Sequence, residues 1–300
     1  MSGEILITGG TGQLGNALQS LARTRGLKVS AVSRPEFDFE DLQTLENCFA
    51  TFRPSLVINA AAYTAVDAAE SHIEAAKAGN YIGPAKLAGL CATADIPLIH
   101  VSTDYVFDGN KGSPYLEDDV TAPTGVYGLT KRDGETAILA TAAKAIILRT
   151  AWVYAAHGKN FARTMLNAAR KTNTLRVVAD QRGTPTSALD LAAAILDIVN
   201  ILQTRGWHPA YRGIYHATGR GETTWFGFAE AIFAATPMAF PRPVLTPITT
   251  LDWPTPAKRP ADSRLNCDKI EQTFGIKLPV WQVSLPSVIA ALLAQDVTAI

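Results

Sequence analysis

Along the first half of the chain, short apolar runs alternate with longer segments in which apolar residues recur every three or four positions. That rhythm predicts the strands of a buried parallel sheet joined by helices. The strand candidates are Ile5 to Thr8, Lys28 to Val32, Leu56 to Ile58, Leu98 to Val101 and Ala145 to Leu148. Leu14, Leu18 and Leu21 share one face of a helix closed by Gly26, and Leu42, Leu45, Phe49 and Phe52 share a face of a second, stopped by Pro54. An alanine-rich helical stretch from Ile73 to Ala94 contains Gly79, Gly83 and Pro84. These predict a break or kink, because proline lacks the amide donor and crowds the preceding turn.

Further along, Leu189 to Leu202, Phe226 to Ala235 and Ser287 to Gln295 have helical patterns, and Ile214 to His216 reads as a short strand. Seven prolines from Pro237 to Pro260 predict loops there. The whole predicts an α/β protein. Residues 1–150 would form a Rossmann-type, doubly wound parallel sheet, and residues 151–300 a smaller mixed α/β lobe with some segments returning to pack on the first unit.

Composition narrows the function. The 300 residues include 27 basic and 27 acidic side chains, so the chain lacks the basic surplus that displaces counterions from nucleic-acid phosphates. At 47% hydrophobic and 18% charged residues it can bury a large core. Cys48, Cys91 and Cys267 are odd in number and far apart, which suggests neither a disulfide framework nor a zinc ribbon and fits a reducing compartment. The five histidines are scattered as well, so no catalytic metal is assigned. Met1-Ser2-Gly3-Glu4 lacks the basic start of a signal peptide, and Arg149, Asp197 and Asn200 cut the apolar stretches short of the ~20 residues a membrane span needs. No membrane partner and a cytoplasmic location are expected.

Between the first strand and first helix stands Gly9-Gly10-Thr11-Gly12-Gln13-Leu14-Gly15. Its glycines at 9, 12 and 15 match the wider-spaced form of a dinucleotide fingerprint. Missing side chains let the backbone and the helix N-terminus approach a pyrophosphate, whose charge the free amides and helix dipole favour. The same glycines also suit a plain strand-to-helix turn; the order of strand, glycines and helix favours the dinucleotide, with Thr11, Gln13 and Leu14 as its neighbours. Where NAD-specific sites place a carboxylate at the end of the second strand, this chain has Ser33-Arg34. A guanidinium there suits a 2′-phosphate, hence NADPH, with NADH left open if Arg34 is merely solvated or stacks on adenine. Asp38 and Phe39 are placed to reach the adenine edge, and Asp38 is equally suited to cap the following helix.

Tyr127 and Lys131 lie one helical turn apart, on one face of a helical segment. Such a pair arises about once by chance in a chain of this composition, so its context decides. That context is Ser102-Thr103-Asp104 at the carboxyl end of a strand, where open parallel sheets bind ligands. Reduction of a ketone needs a hydride donor, a proton donor and a stabiliser of the developing alkoxide. Tyr127 would donate the proton, Lys131 would lower its pKa by favouring phenolate, and a hydroxyl from Ser102-Thr103 would meet the phenol across the carbonyl.

These residues resemble those of the extended short-chain dehydrogenase/reductases, over essentially the whole chain. The resemblance is carried by Gly9 to Gly15, Asn59 to Asp67, Ser102 to Phe107, Tyr127 to Lys131, Arg149 to Tyr154 and Arg259 to Asn266. It implies NADPH-dependent reduction of a nucleotide-linked 4-keto-6-deoxyhexose, with Thr103 polarising the ketone, Tyr127 donating the proton and Lys131 orienting cofactor and tyrosine. It also implies that Ala60, Ala61, Ala62 and Thr64 lie along the cofactor, and that Asp104, Tyr105 and Trp152 contact the sugar. Val66 and Asp67 fall where family members touch substrate, though Asp67 equally suits a helix cap. Another sugar-nucleotide reductase or epimerase/reductase remains open, as does a dinucleotide-binding regulatory subunit such as that of methionine adenosyltransferase. The intact Thr103, Tyr127 and Lys131 set favours catalysis. A homodimer is compatible with the resemblance. Some family members are dimers bridged by magnesium between carboxylates; here the corresponding stretch is Thr186 to Leu191, and Ser287 to Gln295 has no acidic residue, so no magnesium requirement is expected.

Overall fold

The computed structural model describes residues 3–297. Five strands of the first half form one parallel sheet: β1 (Ile5–Thr8), β2 (Val29–Val32), β3 (Leu56–Asn59), β4 (Leu98–Thr103) and β5 (Ala145–Thr150). A sixth strand, Gly213–His216, comes from the second half and pairs in parallel with β5. The order across the sheet is β2, β1, β3, β4, β5, then Gly213–His216. Strand order reverses between β1 and β3, so the loops leaving those strands diverge and a crevice opens at their carboxyl ends.

The period-two alternation of the strands feeds two cores. Ile5, Ile7, Leu56, Ile58, Ile146 and Leu148 face one, while Leu6, Val57, Ala145 and Ile147 face the other. The first is covered by α1 (Gln13–Thr24) and the helix Ala188–Arg205, the second by α2 (Leu42–Phe52) and the helices Gly83–Thr93 and Val126–Thr141. Burial on both faces explains why the strands read as unbroken apolar runs. As the sequence predicts, Gly26 closes α1: it adopts φ +66, and the amides of Gly26 and Leu27 bond to the carbonyls of Arg23 and Ala22 at 3.2 and 2.9 Å.

Three features depart from the sequence pattern. β4 and β5 each run two residues past their predicted ends, because Ser102, Thr103, Arg149 and Thr150 continue the ladder although they are polar. The break expected between Ile73 and Ala94 is a π-helical turn, Ala78–Ile82, set between the helices Ile73–Lys77 and Gly83–Thr93. It turns the buried Asn80 towards the loop after β3, where its side chain accepts from the Tyr63 amide at 2.9 Å and donates to the Tyr63 carbonyl at 3.1 Å. Finally, the proline-rich stretch is not all loop. Val244–Ile248 pairs in parallel with Thr174–Val178, and the two-stranded ribbon tolerates Pro247 because it has free edges.

The second half centres on an aromatic cluster of Tyr154, Phe161, Trp225, Phe228 and Trp281. No helix among the described residues is long and apolar enough to cross a membrane.

Candidate active site

A cleft of about 940 Å³ opens at the carboxyl ends of the parallel strands. The glycine turn forms one end of it. Gly9 has φ +72, and a Cβ there would fall 2.8 Å from the Ala61 amide nitrogen, so the turn lies directly against Ala60-Ala61-Ala62. α1 starts with Gly12 as N-cap, with no side-chain cap and no acidic residue in its first turn. Its free amides and dipole therefore present a cradle that fits a pyrophosphate. Thr11 is tied to the end of β2, its amide and hydroxyl lying 3.0 and 3.2 Å from the Ser33 hydroxyl.

Thr11, Gly12, Gln13, Leu14, the exposed Arg34, Asp38 and Phe39 all border this end of the cleft. Asp38 does not cap α2. That role falls to Asp41, which accepts from the Gln43 amide at 3.2 Å, while Asp38 accepts from the Glu40 amide. Gly15, by contrast, is not in the cleft: a Cβ there would lie 2.2 Å from the Gly9 carbonyl oxygen. It is the close packing of α1 on the turn that requires this glycine.

The middle of the cleft is a polar wall. Tyr127 and Lys131 sit in the first turns of the helix Val126–Thr141, and Thr103 ends β4; all three line the cleft. Lys131 is 1% exposed. Its ammonium donates to the Val101 carbonyl at 2.7 Å and lies 3.2 Å from His100 Nε2. Desolvation pulls its pKa down to about 8, against the opposing charge of Glu135. Burial pushes Tyr127 up to about 12, opposed by the Thr103 hydroxyl. The expectation that Lys131 lowers Tyr127 is not met here, because Lys131 is turned to Val101 and His100 while burial raises the phenol.

Thr103 donates to Asp104 Oδ1 at 3.0 Å. Burial lifts the Asp104 carboxyl to about 6, with the Ser263 and Thr103 hydroxyls favouring its charged form. The hydroxyls of Ser102 and Thr150, buried at the carboxyl ends of β4 and β5, have no hydrogen-bond partner in the protein. Such groups are the exception in folded proteins, and these two open into the cleft, where a ligand's polar atoms can meet them.

At the far end the wall becomes aromatic. Trp152, held at φ +47, stacks on Trp225 with ring centres 3.5 Å apart and planes at 6°. The Trp225 indole donates to Gln181 Oε1 at 3.1 Å. Tyr105 meets Tyr127 edge-on at 5.6 Å, and Thr64 and Val66 line the rim. Asp67 lies inside the short helix Val66–Ala69, whose N-cap is Ala65, so the capping alternative falls. Its carboxylate is instead gripped by Arg259 at 2.8 and 2.7 Å and by the Ala257 amide, and the guanidinium holds it below the usual range.

Apart from Gly15, every residue assigned to the site from sequence borders this one cleft. Sequence reasoning missed Ser33, Asn160, Phe161, Trp225 and Arg259, which border it too. Asn160 donates to Gln13 Oε1 at 3.0 Å and so ties the second half to the glycine turn. Arg259 opens a stretch that carried the family resemblance, but no spacing rule links Trp225 to Trp152 across more than seventy residues. The three cysteines are free, and none borders the cleft. Asp190, in the stretch considered for a magnesium bridge, accepts the Ser284 hydroxyl at 2.6 Å. No cluster of three or more His, Cys, Asp or Glu suited to a metal occurs among the described residues.

A family model described as the RmlD substrate binding domain matches residues 3–294. The chain belongs to that family. Within it, the chain is similar to a "dTDP-4-dehydrorhamnose reductase" of Sinorhizobium fredii, 41% identical over 293 residues that cover 97% of this chain and 98% of that protein. It is also similar to a "probable dTDP-4,6-dihydroxy-2-methyloxan-3-one 4-ketoreductase" of Streptomyces antibioticus, 40% identical over 95% of this chain and 96% of that one. The solved dTDP-4-dehydrorhamnose reductase of Bacillus anthracis, in complex with NADP, aligns with a TM-score of 0.88 at 30% identity, covering 97% of this chain and 99% of that chain. The RmlD family match spans both halves, so the glycine turn, the Thr103, Tyr127 and Lys131 wall and the tryptophan stack all fall within it.

Proposed function

We propose that this protein reduces the C4 ketone of dTDP-4-dehydro-L-rhamnose to give dTDP-L-rhamnose, as an NAD(P)H-dependent oxidoreductase that uses NADPH. The observation that carries the reading is that Thr103, Tyr127 and Lys131 border one cleft with the glycine turn. The residues that would hold the cofactor are the turn from Gly9 to Leu14, Arg34, and Ala60 to Ala62 with Thr64. When bound, it supplies the hydride.

The chain's own residues do the rest. The Thr103 hydroxyl, turning its one proton from Asp104 Oδ1 to the ketone oxygen, polarises it, and Tyr127 donates its proton to the alkoxide, which is more basic than a phenolate. A Tyr127 pKa pushed up to about 12 keeps the phenol protonated and ready to donate. Lys131, one turn further along the same helix and lining the same cleft, supplies a positive charge that limits the cost of the phenolate left behind. Asp104, Tyr105 and Asp67 form the sugar's polar surroundings, Val66 an apolar contact beside them, and Trp152 its flat floor.

The same reading gives residues 1–150 to the dinucleotide and mainly residues 151–300 to the sugar, in a cytoplasmic enzyme that forms a homodimer without needing magnesium. The decisive test is loss of reduced-nicotinamide absorbance with dTDP-4-dehydro-L-rhamnose, run beside GDP- and UDP-linked analogues and the sugar class named for the Streptomyces relative. Oxidation of NADPH with the rhamnose precursor above all others is expected. No oxidation with any of them overturns the proposal.

A further inference from the structure

Behind the cleft runs a line of polar side chains, each at most 1% exposed: Thr8 on β1, Asn59 on β3, His100 on β4 and Lys131. The Thr8 hydroxyl and the Ala61 amide both donate to Asn59 Oδ1, at 2.6 and 3.1 Å. Asn59 Nδ2 lies 2.8 Å from His100 Nδ1, and His100 Nε2 lies 3.2 Å from Lys131 Nζ.

The proton positions follow by elimination. A backbone amide can only donate, so the Asn59 atom it meets is the oxygen, and the nitrogen of that side chain faces His100. That nitrogen can only donate, so His100 Nδ1 accepts. Full burial holds His100 neutral, with a pKa well below the ordinary imidazole value. A neutral imidazole carries one N–H, which is thereby placed on Nε2 and aimed at Lys131. An N–H pointing at an ammonium is repelled, whereas the same N–H pointing at an amine lone pair makes a hydrogen bond.

We propose that His100 is a positioning residue: as the Nε2–H tautomer, fixed by Asn59, it donates to Lys131 Nζ and biases Lys131 towards its neutral amine. Lys131 then keeps one N–H on the Val101 carbonyl, and it becomes the ammonium that steadies the Tyr127 phenolate by taking up one proton from solvent at the cleft. The titratable groups acting on Lys131 are Glu135 from its own helix and His100 from β4; Arg149 of β5 grips Glu135 at 2.9 and 2.7 Å. Glu135 favours the ammonium and His100 opposes it.

The consequence for turnover rests on the reductase reading, but the tautomer does not. Long-range proton–nitrogen NMR of the protein labelled with nitrogen-15 histidine, without substrate, reads it directly, with His100→Gln assigning the His100 signals. An Nε2–H imidazole that stays neutral between about pH 5 and pH 8 is expected. An Nδ1–H tautomer or an imidazolium overturns the proposal, whether or not the protein reduces any sugar. In the assay, His100→Gln offers a carbonyl that accepts from the ammonium, so the high-pH limb of kcat/KM should move up by at least about one pH unit. A limb that does not move also overturns the proposal.

Discussion

The two walls of the cleft are built in opposite ways. The wall of Tyr127, Lys131, Thr103 and Asp104 is polar: the last three are buried, Tyr127 is half-buried, and Lys131 and Thr103 are held by Val101, His100 and Asp104. The Trp152–Trp225 wall is an uncharged pair of parallel rings, anchored by one indole hydrogen bond. Desolvation moves pKa values by up to several units, each worth about 1.4 kcal/mol, while stacking adds about 0.5–1.5 kcal/mol beyond the area it covers. Substitutions on the first wall should therefore act on turnover and pH response, and those on the second on affinity.

The largest effect expected is from Tyr127→Phe, which removes the proton donor and leaves the ring in place. Turnover should fall by about 10²–10⁴-fold, with NADPH affinity, measured by fluorescence titration, unchanged. Full activity would remove the chemistry from this wall.

Asp104→Asn comes next, and it should raise stability while lowering activity. The folded state lifts this carboxyl from the usual 3.8 to about 6, so folded protein binds the proton more tightly than unfolded protein. Stability from this group is full below about pH 4 and is lost as pH rises through 6, at a cost of about 3 kcal/mol when ionised. Urea melts at pH 5 and pH 8 should show Asp104→Asn gaining most at pH 8. An equal change at both would contradict the assignment.

On the aromatic wall, Trp225→Ala withdraws the support behind Trp152. KM for the sugar nucleotide should rise about tenfold, a loss of about 1.4 kcal/mol, with kcat changed less than about threefold. A fall confined to kcat would erase the distinction between the walls. The smallest effect belongs to the exposed Arg34: Arg34→Ala should weaken NADPH by about tenfold or less and leave NADH alone, since solvent screens a surface charge. Equal weakening of both would place Arg34 on the adenine ring instead of the 2′-phosphate.

The same contrast explains what could be read in the sequence. Regular period and local spacing announced the parallel sheet, the glycine turn and the Tyr127–Lys131 pair, because those depend on residues close in sequence. The partners assembled from afar were silent. Trp225 meets Trp152, Arg259 meets Asp67, and Asn160 meets Gln13 only through the tertiary fold. Gly15 carried a motif position whose demand turned out to be packing against Gly9. The pKa of Tyr127 could not be read from its spacing to Lys131, since burial decides it. Val244–Ile248 was hidden by Pro247, which a two-stranded ribbon tolerates and a central strand would not.

The strand Gly213–His216 has a consequence during synthesis. When a ribosome has delivered the first 150 residues, β5 still presents a bare ladder of amides and carbonyls, and its cover arrives roughly sixty residues later. Until then the nascent chain carries a sticky margin able to recruit a neighbour. A gene cut after residue 150 would leave that margin open permanently, along with the sheet face that the helix Ala188–Arg205 shields.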